Sequence, residues 1–262
     1  MEELDNLQHR LVEMLCAFDK ITSEHDLQFF LVGGSALGAY RHQGFIPWDD
    51  DVDIAMMRSD FEKMERVMAE RGNRLGDFVY APVEQHIIPD APLGYLYDTT
   101  HCEHGYENTA KIDIHPIDGV PRGRFLRKIQ KVASLVYYLS EYRLPVKNKG
   151  KTIRTISKVI LAVTPNRLFD WYMKVCKRIM TAWDDRTSED ICSLFGVAGY
   201  EREVMPRSYL IPLQRVPFEG EQFWIPGDID PYLKRLYGDY MTLPPEEERF
   251  PRHKIYLSYR NK

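Results

Sequence analysis

A chain of 262 residues, 44% apolar and 28% charged, can bury a full core, which excludes a disordered or fibrous protein. It holds no run of about 18 apolar residues, so a membrane-spanning helix is not expected. The net charge of −4 hides an asymmetry: between Pro121 and Met180, 15 Lys or Arg stand against only Glu141 and Asp170. A basic segment in an acidic protein points to a local anionic partner. The N-terminus, Met1-Glu2-Glu3-Leu4-Asp5, lacks the pattern of a secretory signal. Cys16, Cys102, Cys176 and Cys192 are widely spaced, with no C-x-x-C pair. They read as free thiols of a cytoplasmic protein, not as a disulfide frame or zinc site.

The spacing of Leu4, Leu7, Leu11, Met14, Leu15 and Phe18 predicts an amphipathic helix over 3–25. A short β-rich run, 27–32, ends at Gly33-Gly34, and Ser35 is placed to cap a helix over 36–40. Gly44 and Pro47 break the chain before an acidic strand, 51–56. Ser59 or Asp60 is expected to cap a helix over about 60–71, with Phe61, Met64, Val67 and Met68 inward. Strands are expected at 77–81, 93–98 and 110–115. The basic stretch 122–180 reads as helices broken near 145–150 and at Pro165, followed by short strands within 208–225 and a helix near 229–237. Three parts follow: a catalytic core over 1–121, a basic helical insert over 122–195, and a C-terminal part over 196–262 that completes the fold.

The chemistry concentrates in residues 33–54. Four carboxylates, Asp49, Asp50, Asp51 and Asp53, follow the Gly33-Gly34-Ser35 turn. On a strand, i and i+2 share a face, so Asp51 and Asp53 stand together while Val52 and Ile54 enter the core. Such a pair lacks a stabilising role without a cation, and its oxygens suit Mg²⁺ or Mn²⁺. Of Asp49 and Asp50, one can assist the site while the other caps the turn. Lys111-Ile112-Asp113-Ile114-His115 supplies a third carboxylate, Asp113, between inward isoleucines. Asp118 serves equally as turn former or site residue. Backbone amides at Gly33, Gly34 and Ser35 suit a phosphate, and the Ser35 hydroxyl can join them. Arg41 and His42 either add charge for a diphosphate or form a surface ion pair. In the basic segment, Phe125, Leu126, Ile129, Val132, Leu135 and Val136 interleave with Lys and Arg, which fits a packed helix pair and also a lipid headgroup surface. No nucleic-acid-binding module accompanies that charge.

These blocks carry a family resemblance. Gly33-Gly34-Ser35 with Trp48-Asp49-Asp50-Asp51-Val52-Asp53-Ile54 resembles the nucleotidyltransferase-fold superfamily. With Leu37-Gly38, Arg41 to Pro47, Lys111 to Gly119, and the tail from Tyr232 to Pro245, the chain is similar to the LicD family, itself distantly similar to fukutin and fukutin-related protein. His115-Pro116 departs from the Phe-Pro frequent in that family.

The resemblance implies an α/β (α+β) fold: a nucleotidyltransferase-like mixed sheet with flanking helices and the basic helical insert. It implies metal-dependent transfer of phosphocholine from CDP-choline to a sugar hydroxyl of a lipid-linked glycan precursor of teichoic acid or lipopolysaccharide type, releasing CMP. The family's metal-binding and catalytic carboxylates map onto Asp51, Asp53 and Asp113, with Mg²⁺ or Mn²⁺ as cofactor. Gly33, Gly34, Ser35, Arg41, Trp48, Asp49 and His115 are the candidate substrate-binding residues. Trp48, Tyr40, Tyr95 and Tyr97 are candidates to cage the choline head. The alternatives are a CDP-ribitol or CDP-glycerol dependent polyol-phosphate transferase, or a nucleotidyltransferase acting on a small acceptor. A cytoplasmic enzyme, in peripheral contact with the inner face of the cell membrane through 122–180 and binding no nucleic acid, is expected.

Overall fold

A computed structural model describes residues 2–83, 93–100, 109–142, 155 and 165–251. The expected break near 145–150 and Cys102 lie outside them. Helix α1 (Glu2–Glu24) buries Leu7, Leu11, Met14, Leu15 and Phe18 against the main sheet and anchors the larger of the hydrophobic clusters. Strand β1 (Phe29–Leu31) leads into α2 (Gly33–His42), which starts three residues earlier than a Ser35 cap requires. Gly33 adopts φ +56°, a left-handed conformation natural to glycine, and Val32 occupies the cap position with no side-chain bond. Ser35 therefore lies inside the first turn. Its Oγ accepts the Asp53 amide at 3.0 Å, tying the helix start to the acidic strand.

That strand, β2 (Val52–Met57), passes straight into α3 (Arg58–Glu70), which buries Phe61, Met64 and Met68. Met57, not Ser59 or Asp60, caps α3. The Ser59 hydroxyl instead donates to Asp185 at 3.0 Å. Strands β3 (Arg74–Leu75), β4 (Phe78–Ala81), β5 (Gly94–Asp98) and β6 (Lys111–Val120) complete the path β1-β2-β6-β5-β4-β3. β2 and β6 run parallel and their neighbours antiparallel, so the sheet is mixed. The parallel register sets Asp53 opposite Asp113.

Helices α4 (Arg124–Tyr142) and α5 (Asn166–Met180, capped by Pro165) pack on one another. Their inward Ala133, Tyr137, Cys176 and Met180 join Val120 and Cys192 in a second cluster. Buried Gln130 clamps the arrangement: its amide donates to the Gly119 carbonyl at 2.8 Å and the Met180 carbonyl at 3.0 Å. Strand β7 (Asp190–Ser193), within the 122–195 segment, pairs antiparallel with the second half of β6, and β8 (Met205–Pro206) pairs with β7. Two short helices, α6 (Tyr200–Glu203) and α7 (Arg207–Leu210), flank β8.

A hairpin of β9 (Gln214–Phe218) and β10 (Glu221–Ile225) turns at Glu219 and Gly220, both with positive φ, the geometry of a type I′ turn. Its Glu219 carboxylate accepts the Phe45 amide at 2.9 Å. A Cβ at Gly44 would lie 2.1 Å from the same carboxylate, so glycine there admits the hairpin. The loop leading to the acidic motif is thereby pinned from the far end of the chain. The last helix, α8 (Ile229–Tyr237), buries Ile229, Tyr232 and Leu233.

Candidate functional site

The site lies at the amino ends of the parallel pair β2–β6, where the end of antiparallel β1 delivers the start of α2. On β6, Asp113 and His115 alternate with buried Ile112 and Ile114, and Asp53 alternates with Val52 and Ile54 on β2. Register partners on parallel strands lie about 4.8 Å apart and share a face. Asp53, Asp113 and His115 therefore stand together.

Each of the two carboxylates already meets a basic side chain. Lys111 Nζ donates to Asp113 Oδ2 at 3.1 Å and lies 3.0 Å from Oδ1. Asp113 Oδ1 is buried and in no hydrogen-bond geometry with any described group. Burial pushes the Asp113 carboxyl above its usual range; Lys111 opposes that shift and Asp53 adds to it. His115 Nε2 lies 3.2 Å from Asp53 Oδ1, and Nδ1 lies 3.3 Å from Ser193 Oγ on β7. Burial works against a charged imidazole, but the bond to Asp53 and the charges of Asp53, Asp113 and Glu203 outweigh it, raising His115 above its ordinary value.

The glycine turn closes over this pair. A Cβ on Gly33 would come within 3.3 Å of Asp53 Oδ2, and one on Gly34 within 3.3 Å of Asp49 Oδ2. The Gly33 amide donates to the Tyr232 hydroxyl at 2.9 Å, which leaves the amides of Gly34 and Ser35 in the first turn of α2, where no intrahelical partner exists. Tyr237, also from α8, reaches the same place. Burial pushes its phenol up, and Asp53, Asp49, Glu203 and Asp51 all push it further, which puts its hydroxyl in the field of the whole acidic cluster.

Gly33, Gly34, Ser35, Asp49, Asp51, Asp53, Asp113 and His115 thus converge. Arg41 does not: it sits at the opposite end of α2, donating from Nη1 to the Tyr240 carbonyl at 2.5 Å and from Nε to His42 Nε2 at 3.0 Å. Trp48 carries the Arg249 guanidinium 5.7 Å from its ring centroid. Of the other aromatic candidates, Tyr40 packs edge-on against Tyr240, while Tyr95 and Tyr97 are buried and stacked on each other in a separate cluster. Strand β5 is covered on both faces, so both tyrosines are buried, with Tyr95 the register partner of Asp113 and Lys111 Nζ 5.1 Å over its ring.

Sequence reasoning missed Glu203, Ser193, Tyr232 and Tyr237. No local pattern marks them; the tail block containing the two tyrosines was the only signal. Among the described residues, no three His, Cys, Asp or Glu side chains form a ready metal-ligand set. The donor chemistry still fits a hard divalent cation: two in-register carboxylates, one with a buried oxygen that accepts no hydrogen bond.

Residues 26–121 match the family described as LicD/FKTN/FKRP, nucleotidyltransferase domain. Over 97% of both chains, the sequence is 26% identical to the lipopolysaccharide cholinephosphotransferase LicD of Haemophilus influenzae. Uncharacterised proteins of Rickettsia prowazekii and Rickettsia typhi are each 30% identical across 60 residues, 23% of this chain, and 23% and 19% of their own lengths.

Proposed function

We propose, from the premise that residues 26–121 are a LicD-family nucleotidyltransferase domain in a phosphotransferase, that this enzyme moves phosphocholine from CDP-choline to a sugar hydroxyl of a bacterial surface glycan precursor. The observation that carries the reading is the Asp53–Asp113 pair facing the glycine turn, in a chain similar to a cholinephosphotransferase across 97% of its length.

In this reading the diphosphate of the donor lies on the start of α2, where the Gly34 and Ser35 amides and the helix dipole favour negative charge. The Ser35 oxygen is held by the Asp53 amide, which aims its hydroxyl hydrogen toward the same site. Asp51, Asp53 and Asp113 would hold Mg²⁺ or Mn²⁺, which when bound neutralises charge on the phosphates and the departing CMP. The acceptor oxygen bonds to the phosphorus bearing choline, the bridging P–O bond breaks, and CMP leaves with the electron pair. Asp113 takes the hydroxyl proton, and Lys111 stabilises the carboxylate beforehand. His115 orients Asp53 and is itself held by Ser193.

Incubation with CDP-choline, CDP-ribitol or CDP-glycerol, with Mg²⁺ or with chelator, tests the reading. CMP is expected from CDP-choline only, and chelator is expected to abolish it. CMP from a polyol donor alone, or pyrophosphate from a nucleoside triphosphate, would replace it with one of the rival activities.

The acceptor side also bears on α4 and α5. Among the described residues no helix is long and apolar enough to cross a membrane. Yet Phe125 is 75% exposed and Trp171 57%, beside Lys128 and Lys174 one helical turn on. This mixture suits an anionic lipid surface that presents a lipid-linked acceptor. Phe125→Ala/Trp171→Ala is expected to weaken binding to phosphatidylglycerol vesicles at least about thirtyfold, since each buried aromatic contributes on the order of 1–3 kcal/mol. Undiminished vesicle binding would rule this face out.

A further inference from the structure

Beside the carboxylate pair opens a pocket whose far side the phosphoryl chemistry does not use. Asp53 and His115 form one side and Tyr232 and Tyr237 another, with Ile191 and Met205 among its apolar lining. Glu203, the last residue of α6, also lines it, and only 8% of that residue is exposed. One carboxylate oxygen accepts the Ala198 amide at 3.2 Å, and among the described residues Glu203 has no ion-pair partner. The nearby Arg235 guanidinium is engaged elsewhere, donating to the carbonyls of Arg202 and Glu201 at 2.8 Å. A Cβ at Gly196 would stand 2.2 Å from Glu203 Cδ, so glycine is what lets the carboxylate fold in.

Burial pushes the Glu203 carboxyl above its usual range, and the Ala198 amide, His115 and Arg235 oppose that only in part, so its ionised form is short of the hydration it has lost. A cation would restore the balance, and the walls say which kind. A primary ammonium needs acceptors for three N–H groups, and a divalent metal needs several oxygens. Asp53 apart, which His115 already engages, the lining offers one carboxylate, Glu203, among mostly aliphatic and aromatic surfaces. A quaternary ammonium donates no hydrogen bond and is held by that combination of aromatic rings and a single counter-charge.

We infer that the pocket seats a quaternary ammonium group, with Glu203 as counter-charge and Tyr232 and Tyr237 as the aromatic wall. Its rim is shared with Gly33 and Asp53, so a head bound here leaves its attached phosphate at the glycine turn. Naming that head as choline rests on the function proposed above; the cation seat rests on the pocket itself.

The test compares choline with its neutral carbon analogue, in which a tert-butyl group replaces trimethylammonium, by titration calorimetry. Wild type is expected to prefer choline by about tenfold, the scale of a desolvated cation–π contact with a counter-charge. Glu203→Gln, which keeps shape and the Ala198 bond, should remove the preference and raise the KM for CDP-choline by a similar factor. Tyr237→Leu should weaken choline binding without abolishing the charge preference, and serves if Glu203→Gln folds poorly. Equal or absent binding of the two compounds by wild type overturns the seat, as does a preference that survives Glu203→Gln. A fall in kcat for every donor with the preference intact also overturns it and makes Glu203 a base. A preserved choline preference in an enzyme that releases no CMP from CDP-choline would keep the seat and remove the transferase reading.

Discussion

Asp53→Asn is expected to cut CMP release from CDP-choline by on the order of 10³-fold, the loss seen when a principal charge-stabilising group leaves a polar active site. The melting temperature should stay within about 2 °C of wild type, because the folded state asks little of this carboxylate. The backbone of Asp53 does the structural work: its amide donates to Ser35 Oγ and its carbonyl accepts the Val32 amide at 3.1 Å. Asparagine preserves both bonds and can still meet His115. What it removes is one of two like charges held side by side in register with Asp113. Asp51→Asn, just before the strand, should lose activity with the same indifference in stability. Initial-rate CMP assays with differential scanning fluorimetry check both. Near-wild-type turnover of either variant in Mg²⁺ would remove that residue from the metal set.

Much of this arrangement was legible because it is local. The alternation of Asp53 with Val52 and Ile54, and of Asp113 with Ile112 and Ile114, marks half-buried strands with acids on one face. What alternation cannot supply is which strands lie together. The parallel crossover from β2 to β6 decides that, and only it turns two separate acids into a pair. Ser35 shows the same limit on a smaller scale. Its type and position read as a helix cap, but Gly33 turns the chain early and frees the hydroxyl to bridge to β2. Glu203, Tyr232 and Tyr237 lie about 90 to 188 residues along the chain from the acids they surround, and only the tail block that holds the two tyrosines hints at the meeting. Tyr95 and Tyr97 are buried for a complementary reason. A Tyr-Leu-Tyr run can alternate toward solvent or lie in a sheet covered on both sides, and β5 is the second case. In the basic segment, the inward stripe of Ala133, Tyr137, Cys176 and Met180 accounts for packing, while Phe125 and Trp171 remain outside it.

Asp118→Asn is expected to have the largest effect on stability, about 3–5 kcal/mol, as when one partner of a buried ion pair is removed. Asp118 lies on β6 one residue out of phase with Asp113, His115 and Ile117, so it faces away from the site. There it is 1% exposed and takes both arms of Arg58, at 2.7 and 2.8 Å. Burial pushes its carboxyl up and Arg58 draws it back, with Asp185 and Glu62 adding like charge. Arg58 opens α3 without a loop after β2, so this pair fixes the angle at which the helix leaves the acidic strand. Asparagine leaves the guanidinium buried beside a neutral partner that cannot serve both arms as acceptors. At about 2–4 °C per kcal/mol for a chain of this size, the melting temperature should fall by roughly 10 °C. KM for CDP-choline should hold in the folded fraction, because the affected face is opposite the carboxylate pair. Arg58→Met/Asp118→Leu should recover most of the loss, since both charges then leave together. Urea denaturation of the single and double variants measures the coupling directly. A single variant within about 1 kcal/mol of wild type, the range of an exposed ion pair, would mean that water reaches this pair and that it does not fix α3.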